Sequence, residues 1–330
     1  EITLARRLNY LAEKNNKTEA ELTELSMLMD KFGNLKVKLA EAHVIKSGRA
    51  VLPTAKDSTV WDSDQPNPKR KPRKKRESAA KNDISSVTEE MVLEVLEEHF
   101  FKFCYQKMWW ERMNDPDTCR NRFILKSRQI GATYYFAFEA LANAILTGDN
   151  QIFISASRAQ AEVFKAYILA FADQFWSITL KGQEVIKLSN GAELRFLSTN
   201  ANTAQSYHGH LYIDEVFWIP NFEKLEKVSS AMAAHKKWRR TNFSTPSAIS
   251  HQAYGKWSGE KFNKNKADEN KVEFDLTHKT LKNGLLGADR IWRHIVTVKD
   301  AQEQGCDLFD IEELEAEYSK DDFANLFMAK

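Results

Sequence analysis

Residues 123–133 read FILKSRQIGAT and carry most, but not all, of a phosphate-binding loop. The usual pattern, G-x-x-x-x-G-K-[ST], works because backbone N–H groups and a helix N-terminus face the phosphates, while a lysine and a magnesium-binding hydroxyl complete the site. Here Gly131 permits the tight turn and Thr133 supplies the hydroxyl at the right place after it. Ala132 stands where the lysine belongs, and Lys126 stands where the first glycine belongs. A lysine at the start of the loop can swing its flexible stem across to the β- and γ-phosphates. The candidate loop is therefore Lys126, Ser127, Arg128, Gln129, Ile130, Gly131, Ala132 and Thr133, with Arg128 as the in-loop cation for charge at the transferring phosphoryl group. A strand–turn–helix with G-x-T is common, so this stretch needs support from elsewhere in the chain.

That support comes from LYIDE, residues 211–215, an apolar run that ends in two acids. Asp214 is placed to hold magnesium through water, and Glu215 to orient and deprotonate the attacking water. One carboxylate at a strand end is readily explained as reaching solvent; two adjacent ones less so. Ahead of the loop, FCYQKMWWE contains Tyr105 and Gln106. A glutamine amide can pair with an adenine edge while an aromatic ring stacks on the base. The plainer reading is a helix end with core aromatics, Trp109 and Trp110 among them. Downstream, NFSTPS puts Ser244 and Thr245 at the end of an expected strand stopped by Pro246, where hydroxyls can sense the γ-phosphate and relay its loss.

The elements that must hold these residues alternate in type. Strands are expected at 122–125, 151–156, 210–214 and 240–244, and helices at 132–146, 159–175 and 223–232. Asn190-Gly191 between apolar runs at 184–188 and 192–197 signals a hairpin. Such alternation predicts a largely parallel sheet with helices on both faces, and ligands beyond the carboxyl ends of its strands. A helix is expected from Thr88 to about Phe103, a loop after Ser258, and in the tail a strand-like IWRHIVTV and an acidic helix at 311–318. Residues 1–50 read as a helical hairpin, with Ile2, Ala5, Leu8 and Leu11 on one face and Leu22, Leu25, Leu28, Met29 and Phe32 on another. Residues 51–87, which include KRKPRKKR at 69–76, read as a disordered basic linker and a candidate phosphate-backbone contact.

Of the 330 residues, 42% are hydrophobic and 28% charged, enough for one large domain with extensions or for two. Net charge is only +2, so nucleic-acid affinity must come from local patches. Cys104, Cys119 and Cys306 are an odd set without metal-ligand spacing, which fits a reducing compartment. No apolar run is long enough to span a bilayer. The chain opens on Glu1 and reads as a piece of a longer protein.

Taken in order, YQ, KSRQIGAT, IDE and STP resemble the ATPase domain of the large terminase subunit, the DNA-packaging motor of tailed bacteriophages. SRQIG matches that family's variant loop, S-R-Q-x-G-K-[ST], in which a lysine moved to the loop's start has a precedent. IDE fits its acidic strand, YQ its adenine motif and STP its coupling motif. The wording resembles members from temperate phages and prophages most, over roughly residues 92–330. The resemblance implies an α/β fold of the P-loop NTPase class, ASCE-type: a mostly parallel sheet sandwiched by helices, here with an N-terminal helical extension. It implies ATP and Mg2+ as cofactors and hydrolysis that translocates double-stranded DNA into a preformed capsid. Expected partners are double-stranded DNA, the small terminase subunit, the portal protein of the procapsid and further copies in a ring, with no membrane. The expected setting is the cytoplasm of an infected or lysogenic bacterial host, transiently at the portal. Residues 88–258 would form the ATPase core and 259–330 its C-terminal part, leading to a nuclease domain expected after residue 330. Asp300, Asp307 and Asp310 read as a surface helix and its approach rather than as the nuclease metal site.

A ring ATPase of this kind also implies a cation offered by a neighbouring copy. HKKWRR at 235–240 supplies Lys236, Lys237, Arg239 and Arg240 as candidates for that role or for DNA, and Arg158 opens a helix after the second strand. Residues 203–209, TAQSYHG, hold Tyr207, His208 and Gly209 where the family often has an arginine-glycine element; a turn before the strand suits them as well. Two other functions fit the same residues: a helicase-like DNA-dependent ATPase, or a DNA-binding assembly module with a vestigial nucleotide site.

Overall fold

Three-residue runs of alternating outlook run through the central strands: Phe123 and Leu125 face one side and Ile124 the other, Ile152 and Ile154 oppose Phe153, and Leu211 and Ile213 oppose Tyr212. Strands apolar on both faces must be covered on both faces, which is the condition of a buried parallel sheet. A computed structural model describes residues 82–118, 120–198 and 207–330 and contains that sheet. The expected helices within residues 1–50 and the basic run at 69–76 lie outside the described residues.

The sheet has eight strands: β1 (Asn121–Lys126), β2 (Gln151–Ser155), β3 (Val185–Lys187), β4 (Glu193–Ser198), β5 (His210–Asp214), β6 (Arg240–Ser244), β7 (Leu285–Leu286) and β8 (Trp292–Val296). Their order is β3-β4-β2-β5-β6-β1-β8-β7. The six inner strands are parallel, and β3 and β7 are added antiparallel at the edges. One strand, β6, lies between β1 and β5, with Leu125 opposite Ser244 and Asp214 opposite Phe243. The carboxyl ends of β1, β6 and β5 therefore meet at one edge, bringing together three motifs far apart in sequence.

The covering helices are α1 (Glu89–Val95), α2 (Cys104–Asn114), α3 (Ala132–Thr147), α4 (Arg158–Trp176) and α5 (Phe222–Met232), followed by α6 (Val298–Glu303), α7 (Ile311–Glu317) and α8 (Lys320–Leu326). Their starts follow from capping chemistry. The Thr88 hydroxyl accepts from Met91 N–H, and Ser157 forms a reciprocal box with Gln160 that starts α4. Gly148 ends α3 at φ 74°, and Asn190-Gly191 turns the β3–β4 hairpin with Gly191 at φ +94°.

Three sequence expectations are corrected. The helix from Thr88 does not run on to Phe103: a π-helical turn at Leu96–Phe100 ends it, and a separate helix, α2, carries Tyr105 and Gln106. The expected disordered linker reaches residue 87, but Asn82 and Ile84 within it are packed against the domain. Ile84 is buried, and the Asn82 amide donates to Lys181 and Lys187 carbonyls and accepts from Lys181 N–H at 2.6 Å, so satisfied polar groups hold a polar segment in place. The stretch after Ser258 includes short helical turns at Glu260–Asn263 and His278–Leu281, and β8 beyond them pairs with β1 inside the sheet.

One ion pair is wholly enclosed. Arg122 of β1 meets Glu139 of α3 through two bonds of 2.9 and 2.5 Å, and Tyr135 and Tyr212 hydroxyls donate to the same carboxylate at 3.0 Å. Burial alone would depress the Arg122 pKa, but the Glu139 carboxylate outweighs it and holds the guanidinium charged. Among the described residues no helix is long and apolar enough to cross a membrane.

Candidate active site

The loop between β1 and α3 begins with Lys126 as the last residue of β1. Strand geometry thus aims this lysine at the neighbouring strand ends. Its Nζ donates to Glu215 Oε1 at 2.6 Å, and both side chains are largely enclosed. The second oxygen, Glu215 Oε2, accepts from Ser244 Oγ at 3.1 Å, Thr245 N–H at 2.9 Å and Thr245 Oγ1 at 3.0 Å. Glu215 adopts φ 49°, a left-handed conformation uncommon for a residue with a Cβ, and its four donors are what hold it there. Burial works to raise its pKa, but Lys126 and the bonds from Thr245 prevail and lower it, so the carboxylate stays ionised. Ser244 and Thr245, the residues expected to couple, therefore touch the general-base candidate directly. Trp218, which sequence reasoning missed, donates its indole N–H to Thr245 Oγ1 at 2.9 Å. Only its position three residues after the acids hinted at it.

Asp214 lies beside this group. Its Oδ2 accepts from Thr133 Oγ1 at 3.1 Å, while Oδ1 is buried without a hydrogen-bond partner among the described residues. Burial pushes its pKa up to about 7, against the pull of Lys126. An enclosed carboxylate oxygen lacking a donor, next to a threonine hydroxyl, is a fit for a hard divalent cation, which would restore the ionised form.

The loop backbone departs from expectation in one respect. Ser127 N–H and Arg128 N–H are already donated, to Val296 O at 2.7 Å and Leu326 O at 2.9 Å. The first two amides thus tie the loop to β8 and α8 and do not face a phosphate. Gln129 at φ 59° and Gly131 at φ 74° then reverse the chain. Among the described residues no acceptor takes the amides of Gln129, Ile130 or Gly131, and α3 starts without a side-chain cap. These amides and the first turn of the sixteen-residue α3 offer unbonded N–H groups of the kind an anion would take. Ala132 is buried in the main apolar cluster, and Arg128 is exposed with no ion pair among the described residues.

Tyr105 is a correction. Its ring is fully buried beside Phe103 and Trp109, and its hydroxyl donates to Ile130 O at 2.8 Å, so it buttresses the loop from within and is closed to stacking on a base. Gln106 is buried with Oε1 unpartnered, and its Nε2 would lie 3.3 Å from a Cβ on Gly131, so the amide borders the loop and an alanine there would crowd it.

The remaining cations divide by position. Arg158 opens α4 after the carboxyl end of β2, on the same edge as Lys126, and is exposed with weak ion pairs to Glu162 and Glu184 at 3.8 Å. Lys236, Lys237, Arg239 and Arg240 precede or begin β6, at the opposite edge, and cannot reach a nucleotide at Lys126 of the same chain because the length of the strands intervenes. Tyr207, His208 and Gly209 sit at that far edge too, with Tyr207 against Arg195 and Gly209 packed on Asn150; residues 203–206 lie outside the described residues. Asp300 accepts from Thr297 and contacts His278 at 2.6 Å, bonds that cap α6. Among the described residues no cluster of three or more metal-type side chains is present.

Comparison with known proteins adds the following. The family described as terminase large subunit, T4likevirus-type, N-terminal, matches residues 123–330. The terminase ATPase subunit of Escherichia phage P2 is 44% identical over 333 residues, covering 100% of this chain and 53% of that protein. The probable terminase ATPase subunit of Haemophilus phage HP1 (strain HP1c1) is 44% identical over 330 residues, covering 98% of this chain and 52% of its own length. This chain thus spans about half the length of these curated relatives. Among solved structures, the large terminase of a thermophilic bacteriophage in complex with ADP shares the fold at TM-score 0.51 and 12% identity, over 69% of this chain and 52% of that one.

Proposed function

We propose, from the premise that this chain belongs to the terminase large subunit family, that it is an ATP-hydrolysing motor unit for moving double-stranded DNA into a procapsid. The observation that carries the reading is the cluster at the carboxyl ends of β1, β5 and β6. It holds a cation paired with a base, a second acid bonded through one oxygen to Thr133, and the hydroxyls of Ser244 and Thr245 on the base.

The chemistry follows from those contacts. ATP would seat its phosphates on the free amides of residues 129–131 and the start of α3. Lys126 then has a stronger anionic partner than Glu215 and moves toward it. Glu215, released on its Oε1 side but still held by Ser244 and Thr245, becomes the acceptor for a water proton. Thr133 and Asp214 would hold Mg2+, which supplies charge neutralisation on the phosphate oxygens when bound. Gln106 Oε1 lacks a donor that an adenine amine can provide. Arg128 is free to meet the nucleotide in cis, and Arg158, exposed on the same edge, suits a neighbouring copy's site. Loss of the γ-phosphate returns Lys126 to Glu215, and the change reaches β6 through Ser244 and Thr245. Duplex DNA, the small subunit, the portal and a ring of copies in the host cytoplasm belong to this reading.

The test is ATP hydrolysis by the purified chain with magnesium, with and without duplex DNA, beside Lys126→Ala and Glu215→Ala. Turnover by the parent and loss in both variants supports the reading. Nucleotide binding by the parent without turnover, lost in Lys126→Ala, supports an intact site that needs its ring. No nucleotide binding at all sinks it and favours the vestigial-site alternative.

A further inference from the structure

The edge opposite the nucleotide cluster carries guanidinium groups whose needs are unmet. Because β1 and β6 are parallel and in register at Asn121 and Arg240, their preceding residues Arg120 and Arg239 arrive together. Arg240 N–H donates to Arg120 O at 2.7 Å, and Leu211 N–H to Arg239 O at 2.8 Å, which brings the three arginines to one edge of the sheet, Arg240 with Arg120 toward one face and Arg239 toward the other. Arg120 Nη2 is anchored on Ala234 O at 3.0 Å. Yet among the described residues no acceptor meets Arg120 Nε, Arg239 Nε and Nη2, or Arg240 Nε, all of them enclosed. Buried N–H donors of charged groups are normally paired.

The carboxylates at this edge are already committed. Asp149 is held by Lys237 at 2.7 Å and by His210, and Glu226 by Lys256 at 3.1 Å and by Lys261. His210 adds no charge of its own, since burial and then Arg239 lower its pKa to about 3. Positive charge is therefore in excess, and burial together with Arg120 lowers the Arg240 pKa. Lys237, paired with Asp149, also lies over the face of Trp238 at 4.4 Å.

We infer that Arg120, Arg239 and Arg240, with Lys237, form a seat for the phosphodiester backbone of duplex DNA at the amino end of the sheet. The inference rests on the motor reading for its choice of polyanion. The cations flank the strand ends on both faces of the sheet and do not close a cavity, which suits an extended, repeating string of phosphates better than one free anion. Contacts of this kind are independent of base sequence. The seat lies across the sheet from Lys126, so DNA and nucleotide can be held at once, with β1 and β6 running from one site to the other.

The experiment uses the whole chain and a fluorescein-labelled 30-base-pair duplex of random sequence, read by anisotropy over a series of potassium chloride concentrations. Arg239→Gln is the first variant, because its Nε and Nη2 make no bond to lose; Arg240→Gln and Arg239→Lys follow. A labelled ATP analogue monitors the nucleotide site in each. The expected result is parent binding that weakens with salt, a roughly three- to tenfold loss in each Gln variant, and a salt slope reduced by about one. Arg239→Lys should keep the slope near the parent's. The slope isolates this contact even if the basic run at 69–76 also binds DNA. Parent affinity and slope retained in both Gln variants would overturn the seat. So would a parent that binds nucleotide but no duplex, an outcome that leaves the ATPase reading standing; a parent that binds duplex but no nucleotide would sink that reading alone. Competition by inorganic phosphate at concentrations matching the total duplex phosphate would also overturn it, by assigning the cations to a free anion.

Discussion

Lys126 Nζ and Glu215 Oε1 are 2.6 Å apart, so the proposed phosphate-binding cation and the proposed general base hold each other. This pairing follows from moving the lysine. At the end of β1 it sits two strands from Glu215 across β6, at the same sheet edge, whereas at position 132 the side chain would start inside the apolar cluster. Neither group is then left as an isolated buried charge before nucleotide arrives.

Removing the cation should therefore act twice. Lys126→Ala is expected to lower kcat/KM for ATP by at least about 100-fold. It should also cost about 2–3 kcal/mol in stability, at the low side for a broken buried pair because Glu215 keeps Ser244 and Thr245. Hydrolysis assays and denaturant unfolding measure the two effects; an unchanged turnover would mean that Lys126 is not the phosphate-binding cation.

Glu215→Gln separates binding from chemistry. The amide keeps the shape and can still accept from Thr245, so ATP affinity should stay within a few-fold while the hydrolytic step falls by about 100- to 10,000-fold. Single-turnover phosphate release beside equilibrium nucleotide binding gives the comparison, and equal losses in both would assign Glu215 to binding instead.

Gln106→Ala should weaken ATP while leaving the triphosphate of guanosine nearly unaffected, because the lost acceptor on Oε1 suits an adenine amine. A loss of about tenfold for ATP is expected, the worth of one hydrogen bond in an enclosed site. Competition between the two nucleotides reads it, and equal weakening of both would show that Gln106 merely props up the loop at Gly131.

The enclosed pair Arg122–Glu139 should govern stability alone. Glu139→Gln leaves a buried guanidinium without its counter-charge and is expected to cost about 3–5 kcal/mol in urea unfolding. Replacing both residues by apolar ones of similar size should cost less than the single change, and a single change without effect would mean that the network is dispensable.

Acid should destabilise the protein through two histidines. Burial lowers His294 to about 4 and His210 to about 3, below the ordinary value of 6.5. A histidine kept neutral in the fold stabilises fully above 6.5, and that contribution falls as pH drops from there toward the folded value. His294 is fixed between Trp109 Nε1, at 2.9 Å, and Lys282 O. Unfolding free energy measured from pH 7 to 4.5 should decline, and His294→Asn should reduce the slope by up to one proton; an identical slope would exclude His294.

Much of this was legible in order along the chain. The strands at His210–Asp214 and Arg240–Ser244 and the helix starting at Ala132 lie where alternation and composition put them, because these are local consequences of side-chain period and branching. Cys104–Asn114 was not legible as a separate helix, since no capping residue opens it and the helix before it ends in a π-helical turn with no sequence marker. Tyr105 was misplaced for a related reason: a ring suited to stacking on a base is equally suited to a core, and only burial distinguishes the two.

By itself the sequence determined which chemistry was possible: a loop with a moved lysine, two acids after a strand, two hydroxyls before a proline, all short patterns whose meaning lies in residue type and spacing. Tertiary structure alone decided their partners. Strand order set β6 between β1 and β5, which put Ser244 and Thr245 on Glu215 and Lys126 opposite them. It also drew β8 and α8 onto the loop's first two amides and sent Arg239 and Arg240 to the far edge. Strand order depends on the joint packing of every helix and strand on both faces of the sheet, and no short stretch of the chain encodes it.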